Sequence, residues 1–488
     1  MIEVPLGQGL DIASGRAPIA AIIGIVVLMP LAALCRRVGR TLTSLARLPK
    51  ASLRLPTSRD RSEWALRSIA EVREVMERVL LENVLPFWLA GAADPAGQFR
   101  SSSDVRGNWQ PRAPRRLVQH ARILWFMVRM RDRSELAATL ADRGFLALGD
   151  RFWDRLHGGF HWEIDADGRH PTMPHKHLYG QAQSLYAASS FALATGRAEA
   201  LELARQTFGI IEHWHKDRQE LGYHEFFRAD WRPAPPGHHG YLGVLPTVKT
   251  ANAHLHMLEA TTVYLQLTGD PIARARLEEL AGILGGRALD PVHGNLLDRH
   301  RRDWSPVTEG EPNRASYGHD LELIHLLHAA DHMLGAPSDG RVQVYRRWFR
   351  CAQAFGEDPV EGGLWLSGPP GRPATDRRKV WWVQAEAMLG MLRLFELTGD
   401  QACLQAFMRT LHWVLRRQID WERGEWHAEI RGDRVFGPKA GPWKDPYHNG
   451  RAMIEGIAIL ARLQRRPPGS EPIGVGTPKS REETSDTI

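Results

Sequence analysis

At 488 residues, with 43% hydrophobic and 24% charged positions, the chain has the composition of a large globular protein rather than a disordered or fibrous one. Its net charge of +7 is concentrated in residues 36–75, which carry ten Lys or Arg against four Asp or Glu. The near-neutral remainder excludes a nucleic-acid-binding body, and three widely spaced cysteines, Cys35, Cys351 and Cys403, exclude a disulfide framework or a metal knuckle.

Residues 17–34 hold no charge for eighteen positions and are followed by Cys35-Arg36-Arg37. That is the lower edge of a bilayer span. The basic residues follow the apolar run, which argues against a cleaved signal, and Leu34 argues against a lipoprotein site at Cys35. Residues 1–74 therefore read as an apolar segment, a candidate membrane anchor, followed by a basic linker. An inserted segment would keep its Arg-rich flank, and the body behind it, on the cytoplasmic side, tethered to the inner face. The alternative is an upstream stretch, or a mis-assigned start, with no role in the fold.

From residue 75 onward, helix-period apolar stretches alternate with glycine-centred breaks. One set lies at Gly97, Gly159, Gly222, Gly294, Gly363 and Gly424, with steps of 62, 63, 72, 69 and 61. A second set, Gly196, Gly269, Gly335 and Gly399, interleaves with the first, and at Gly269 and Gly399 the triplet is Thr-Gly-Asp. Such a triplet caps one helix in the left-handed region and opens the next with an aspartate, so it reads as the bend of a helical hairpin. Six two-helix units predict an all-α fold over residues 75–465: an (α/α)6 barrel of about twelve helices, with short Gly-centred β-turn hairpins at one end. Periodicity does not show closure, so an open solenoid is the competing arrangement. Residues 466–488, rich in Pro, Gly, Ser, Thr and Glu, read as a disordered tail.

Polar and aromatic groups recur inside these otherwise apolar helices, 19 to 34 residues beyond each turn: Arg122, Tyr179, Asn252 with His256, His319 with Glu322, Trp382 with Glu386, and His448. In a barrel of helix pairs, similar offsets mean similar heights, so the six repeats aim functional-type groups at one layer. Asn252 and His256 (i, i+4) share a helix face, as do His319 and Glu322 (i, i+3), and a carboxylate beside an imidazole orients it and raises its basicity. Any one of these could be a satisfied core residue; the joint pattern is harder to read so. His213-Trp-His215, His238-His239 and His254-x-His256 are poor metal sites, because ligands at i, i+2 on a helix diverge and no cysteine or paired carboxylate accompanies them. Seventeen tryptophans are in keeping with a pocket that stacks on sugars or bases.

The motifs His177-Leu-Tyr-Gly-Gln181, Asn252-Ala-His-Leu-His-Met-Leu-Glu259, Gly318-His-Asp-Leu-Glu322, Lys379-Val-Trp-Trp-Val-Gln-Ala-Glu386 and Pro442-Trp-Lys-Asp-Pro-Tyr-His-Asn-Gly-Arg451 resemble those of the N-acylglucosamine 2-epimerase superfamily. Within it the chain looks more like the cellobiose 2-epimerase branch than the mannose isomerase or N-acylglucosamine epimerase branches. The resemblance implies an (α/α)6 barrel and cofactor-free isomerisation at C2 of a small-molecule carbohydrate; the expected substrate is a disaccharide or a mannose/glucose-type aldose, with no metal, and the expected state is a monomer or homodimer. It implies that His448 and His319 form the general acid/base pair, and that Arg122 stabilises the oxygen bearing negative charge. His256, Asn252 and Tyr179 would bind hydroxyls or assist ring opening, Glu322 and Glu386 would orient the histidines, and Trp381 or Trp382 would stack on the sugar. Proton return to C2 gives the epimer and return to C1 the ketose, so epimerase and aldose-ketose isomerase both stay open. Two further alternatives are a glycoside hydrolase using Glu322 and Glu386 across the cavity and a catalytically silent sugar-binding scaffold.

Overall fold

The computed structural model describes residues 68–465 apart from 95–97, 236, 311–312 and 337–338. The expectations for residues 17–34, Cys35, the basic run as far as 67, Gly97 and the 466–488 tail lie outside the described residues. Among the described residues, no helix is long and apolar enough to cross a membrane.

Among the described residues thirteen α-helices follow in order: α1 (Ile69–Arg78), α2 (Leu85–Gly91), α3 (Leu117–Arg129), α4 (Glu135–Ala147), α5 (Leu178–Thr195), α6 (Ala198–Ile210), α7 (Ala251–Thr268), α8 (Pro271–Gly282), α9 (Tyr317–Leu334), α10 (Asp339–Cys351), α11 (Trp381–Thr398), α12 (Gln401–Trp413) and α13 (Tyr447–Gln464). A π-helical stretch, Val79–Val84, joins α1 to α2, so the helical rods number twelve among the described residues. The odd-numbered helices from α3 to α13 form an inner ring in which each packs on the next and α13 returns to α3; the other rods lie outside. The ring is therefore closed, and the open solenoid is set aside.

Closure is made by residues remote in sequence. The first rod packs on the last inner helix, where Arg73 Nη1 donates to Gln464 Oε1 at 2.7 Å, and reaches the turn that follows the last outer rod, where Trp88 Nε1 donates to Glu425 at 2.5 Å. The bends follow the expected chemistry. Gly269 and Gly399 take φ of +65° and +69°, and Asp270 and Asp400 accept from Ile272 N and Ala402 N. Inner helices face the outer rods on one side and the barrel axis on the other. Fifteen consecutive residues of α5, Leu178 to Ala192, are buried, which is why this helix carries no simple apolar stripe.

Each outer rod from α4 to α12 ends in a π-helical turn and an aspartate-led turn at the end where the inner helices begin. There, short antiparallel strands pair, such as Lys176–His177 with Phe226–Phe227. Asp154 accepts from the backbone N–H groups of Leu156 and His157, and Asp217, Asp290, Asp358 and Asp420 repeat the arrangement. Lysines buried beside four of them pair with the carboxylates: Lys176–Asp154 at 2.7 Å, Lys249–Asp217 at 3.0 Å, Lys379–Asp358 at 2.8 Å and Lys439–Asp420 at 2.6 Å. Removing one partner strands a buried charge. Lys176→Met is expected to cost about 3 kcal/mol of stability, read as a lower urea midpoint at unchanged slope.

The core also makes the fold acid-labile. Burial holds His177, His215 and His254 down at about 3, and His120 and His328 at about 4. Between pH 6.5 and about 4 the unfolded chain binds protons at these five positions that the folded chain refuses, so stability falls as pH falls. Glu225 and Asp320, pushed up by burial to about 8 and about 7, act in the opposite sense, as do the raised carboxyls of Asp331, Glu386 and Asp445, but burial also lowers His256, His300, His325 and His448, so the histidines remain the larger group. The melting temperature is expected to drop steadily from pH 7 to pH 4.5; a flat profile would count against neutral core histidines.

Candidate active site

Every inner helix starts at the same end of the ring, and counting from its first residue gives the register of the site. In all of them but α13, where it is Gly450, the fourth residue turns outward and holds the backbone of a neighbouring element. His120 meets Gly144 O, Gln181 bonds Phe160 N and O, His254 Nε2 accepts from Tyr223 N, Asp320 accepts from Leu296 N, and Gln384 bonds Leu364 N and O. Residues two and six are one helical turn apart and share the opposite face, toward the axis. Tyr179, Asn252, Trp382 and His448 stand at position two; Arg122, His256, Glu322 and Glu386 stand at position six. The same geometry sends His254 and His256 to opposite faces, so the pair does not chelate.

A cavity of about 180 Å³ opens at this end. Arg122, Tyr179, Asn252 and His256, from α3, α5 and α7, line one half, and His319, Trp381, Trp382 and His448, from α9, α11 and α13, line the other. His319 sits at position three because position two is Gly318, where a Cβ would lie 2.4 Å from the Trp382 ring. The indole uses that space: its centroid lies 4.7 Å from the His319 ring and 5.8 Å from the His448 ring, so both imidazoles flank one tryptophan. The structure thus brings eight of the ten expected residues to one cavity. Glu322 and Glu386 are not in the lining; they are almost fully buried and act through other residues.

Four further residues belong to the assembly. Trp443, 43% exposed, lines the cavity from the loop before α13. Arg451, Glu259 and Tyr447 are buried beside the cavity-lining groups. Arg451 donates to Glu259 Oε1 at 2.6 Å and to Glu322, and its Nη2 lies 2.8 Å from Glu386 Oε1. The carboxylates come from α7, α9 and α11, and the guanidinium from α13. Glu322, Glu386 and His448 also place ligand-type atoms within 4.8 Å of one another, but there the cation contacting both carboxylates is Arg451 itself. All four stand in the quoted motifs, Glu259 and Arg451 as charges within buried helices, and their convergence depends on the ring.

The electrostatics separate the histidines from the cations. His448 Nδ1 meets Glu386 Oε1 at 2.7 Å. Burial, with Arg122 and Arg451 nearby, pushes the imidazole well below the usual histidine range, and so favours the neutral ring. Burial also raises the Glu386 carboxyl well above its ordinary value, with Glu322 and Glu259 opposing the pull of Arg451. His256 is likewise lowered by burial; its Nδ1 lies 3.2 Å from Glu259 Oε2 and its Nε2 3.2 Å from Arg122 Nη2. A neutral ring protonated at Nδ1 satisfies both contacts. Arg122 also donates to Tyr179 Oη at 2.8 Å, and burial holds that phenol up at about 12, so it stays a hydrogen-bond donor.

A closed double ring of helices, with imidazoles and a guanidinium at a small cavity and a tryptophan at its rim, defines an α/α-barrel enzyme of the carbohydrate epimerase and isomerase class. The chain belongs to the N-acylglucosamine 2-epimerase (GlcNAc 2-epimerase) family, whose model matches residues 97–452. It is 31% identical to the cellobiose 2-epimerase of Bacteroides fragilis over 395 residues, covering 79% of this chain and 98% of the relative. The structure of cellobiose 2-epimerase from Spirochaeta thermophila superposes with a TM-score of 0.74 at 30% identity, over 82% of this chain and 100% of that one. The D-mannose isomerase of Thermobifida fusca is 26% identical over 339 residues, 67% of this chain and 80% of the relative.

Proposed function

We propose that the protein is a sugar 2-epimerase that removes the C2 proton of an open-chain aldose and returns a proton to the opposite face, with a cellobiose-type disaccharide as its substrate class and residues 75–465 as the catalytic domain. The observation that carries this reading is the placement of His319 and His448 in one cavity against the same indole, with His448 held neutral and backed by Glu386.

An α-proton is acidic only through the adjacent carbonyl, so the reaction needs a base, an acid on the other face and donors for the developing enediolate oxygen. His448 Nε2 takes the C2 proton; the C–H electron pair forms the C1=C2 bond, and the carbonyl π pair moves onto O1. Arg122 and Tyr179 stabilise that oxygen. His319 then delivers a proton to C2 from the other side, the enediolate collapses to the carbonyl, and the reverse reaction uses the histidines in exchanged roles. His256 and Asn252 bind sugar hydroxyls. Trp443 supplies an aromatic face for a second sugar ring, which favours a disaccharide. The higher identity and fuller coverage of the cellobiose 2-epimerase relatives favour return to C2 over return to C1. A hydrolase would need two carboxylates flanking the glycosidic bond, whereas Glu322 and Glu386 share one guanidinium outside the cavity lining. Residues 17–34 would tether the enzyme to the inner face of the membrane, and recovery of the full-length protein in the alkali-washed membrane fraction tests this.

Proton NMR of cellobiose and of mannose in deuterated water with the purified enzyme tests the chemistry. Loss of the C2–H signal together with appearance of the 2-epimer is expected; no exchange across a broad aldose panel would remove the proposal.

A further inference from the structure

One group outside the cavity lining is linked to both of its halves, directly to His256 and, through Arg451 and Glu386, to His448. Glu259 is the ninth residue of α7 and is 5% exposed. Its Oε2 faces His256 Nδ1 at 3.2 Å and accepts from the Tyr447 hydroxyl, and its Oε1 accepts from Arg451 at 2.6 Å. Two branches leave it. Through His256 it reaches Arg122 and Tyr179, because an imidazole protonated at Nδ1 presents Nε2 as the acceptor for Arg122 Nη2. Through Arg451 it reaches Glu386 and, beyond it, His448. Tyr447 ties the branches together: its ring lies under both guanidinium groups, with centroid distances of 4.4 Å to Arg122 and 4.5 Å to Arg451, and its edge meets His448 at 4.8 Å.

We propose that Glu259, with Tyr447 as its hydroxyl partner, is the positioning residue that couples the oxyanion side of the site to the base side: it fixes the His256 tautomer, thereby aiming Arg122, and it anchors the guanidinium that holds Glu386 against His448. This inference rests on the function proposed above for its catalytic consequence, but not for the hydrogen bonds themselves. A carboxylate suits the node because it accepts at both oxygens from three donors, whereas a carboxamide of the same shape presents its NH2 to donors on one side. The alternative is a purely structural anchor, which would lower stability and leave the turnover of folded enzyme unchanged.

Glu259→Gln and Tyr447→Phe test this together, the second preserving the ring between the two cations. With loss of alignment, kcat is expected to fall about 100-fold in Glu259→Gln and about 10-fold in Tyr447→Phe, with KM changed much less, and the acid limb of the kcat/KM profile is expected to move in Glu259→Gln. Nitrogen-15 NMR of histidine-labelled protein supplies a readout independent of turnover: His256 is expected to carry its proton on Nδ1 in the wild type and to lose that fixed tautomer in Glu259→Gln. Wild-type kcat and pH profile in both variants, or an unchanged tautomer, would overturn the proposal, including where only thermal stability falls. If the wild type exchanges no aldose proton, the functional reading fails, and the tautomer measurement alone decides the positioning role.

Discussion

His448→Ala is expected to lower kcat for epimerisation by at least about 1,000-fold, the upper part of the range for loss of a positioned acid or base. The cause is local, because His448 touches the cavity and its removal leaves the Arg451 cluster in place. A two-base site makes a sharper prediction than loss of activity. With His448 gone, His319 still faces C2 from its own side, so the epimer whose proton points at His319 continues to exchange C2–H with deuterated water but is no longer inverted. His319→Ala reverses the preference. Exchange and inversion lost together for both epimers in both variants would point to one catalytic base, and full activity in His448→Ala would end the mechanism.

Arg451→Leu is expected to be the most damaging substitution to the fold. One guanidinium contacts Glu259, Glu322 and Glu386, all at most 5% exposed, so its loss leaves a knot of carboxylates from α7, α9 and α11 with no shared cation. Breaking a single buried pair costs about 3–5 kcal/mol, and a drop in melting temperature on the order of 10 °C follows. The sign of the pH dependence separates this cause from lost packing. In the wild type Arg451, His256 and Tyr447 overcome burial to hold Glu259 at about 2, so its carboxylate contributes stability that is present above its unfolded value and lost only as pH falls through about 2. Without the cation, the cluster takes up protons at higher pH, so the gap in melting temperature between variant and wild type should narrow from pH 8 to pH 5. A gap independent of pH would mark the defect as steric.

Much of the fold was legible because it is written in local chemistry. Gly269-Asp270 and Gly399-Asp400 specify a helix stop and a helix start within two residues, and no distant partner is needed to read them. The spacing of the turn glycines followed from the same cause, since a helix pair of given length recurs. The site was legible to a lesser degree. Polar residues inside buried helices mark it, but offsets counted from the turn glycine scatter, because loops such as the one between Phe227 and Lys249 vary in length. Counting from the first residue of each inner helix removes the scatter, and in all but α13 that start is set by short strand pairs formed with residues about fifty positions later. Glu322 shows the limit most plainly: it shares the face of α9 expected for a partner of His319, yet the group it holds is Arg451, 129 residues away.

By itself the sequence determined the helix-pair period, the bends, the all-α class and the identity of eight residues at the cavity, because helix capping, helical phase and motif are properties of short segments. Closure of the ring by the first rod against α13, the meeting of His319 and His448 over one indole, and the sharing of one guanidinium by carboxylates of three helices were decided by the tertiary structure. Each joins residues tens to hundreds of positions apart, and which of them meet is set by packing around the whole circle, where a shift in any one helix pair moves all the others.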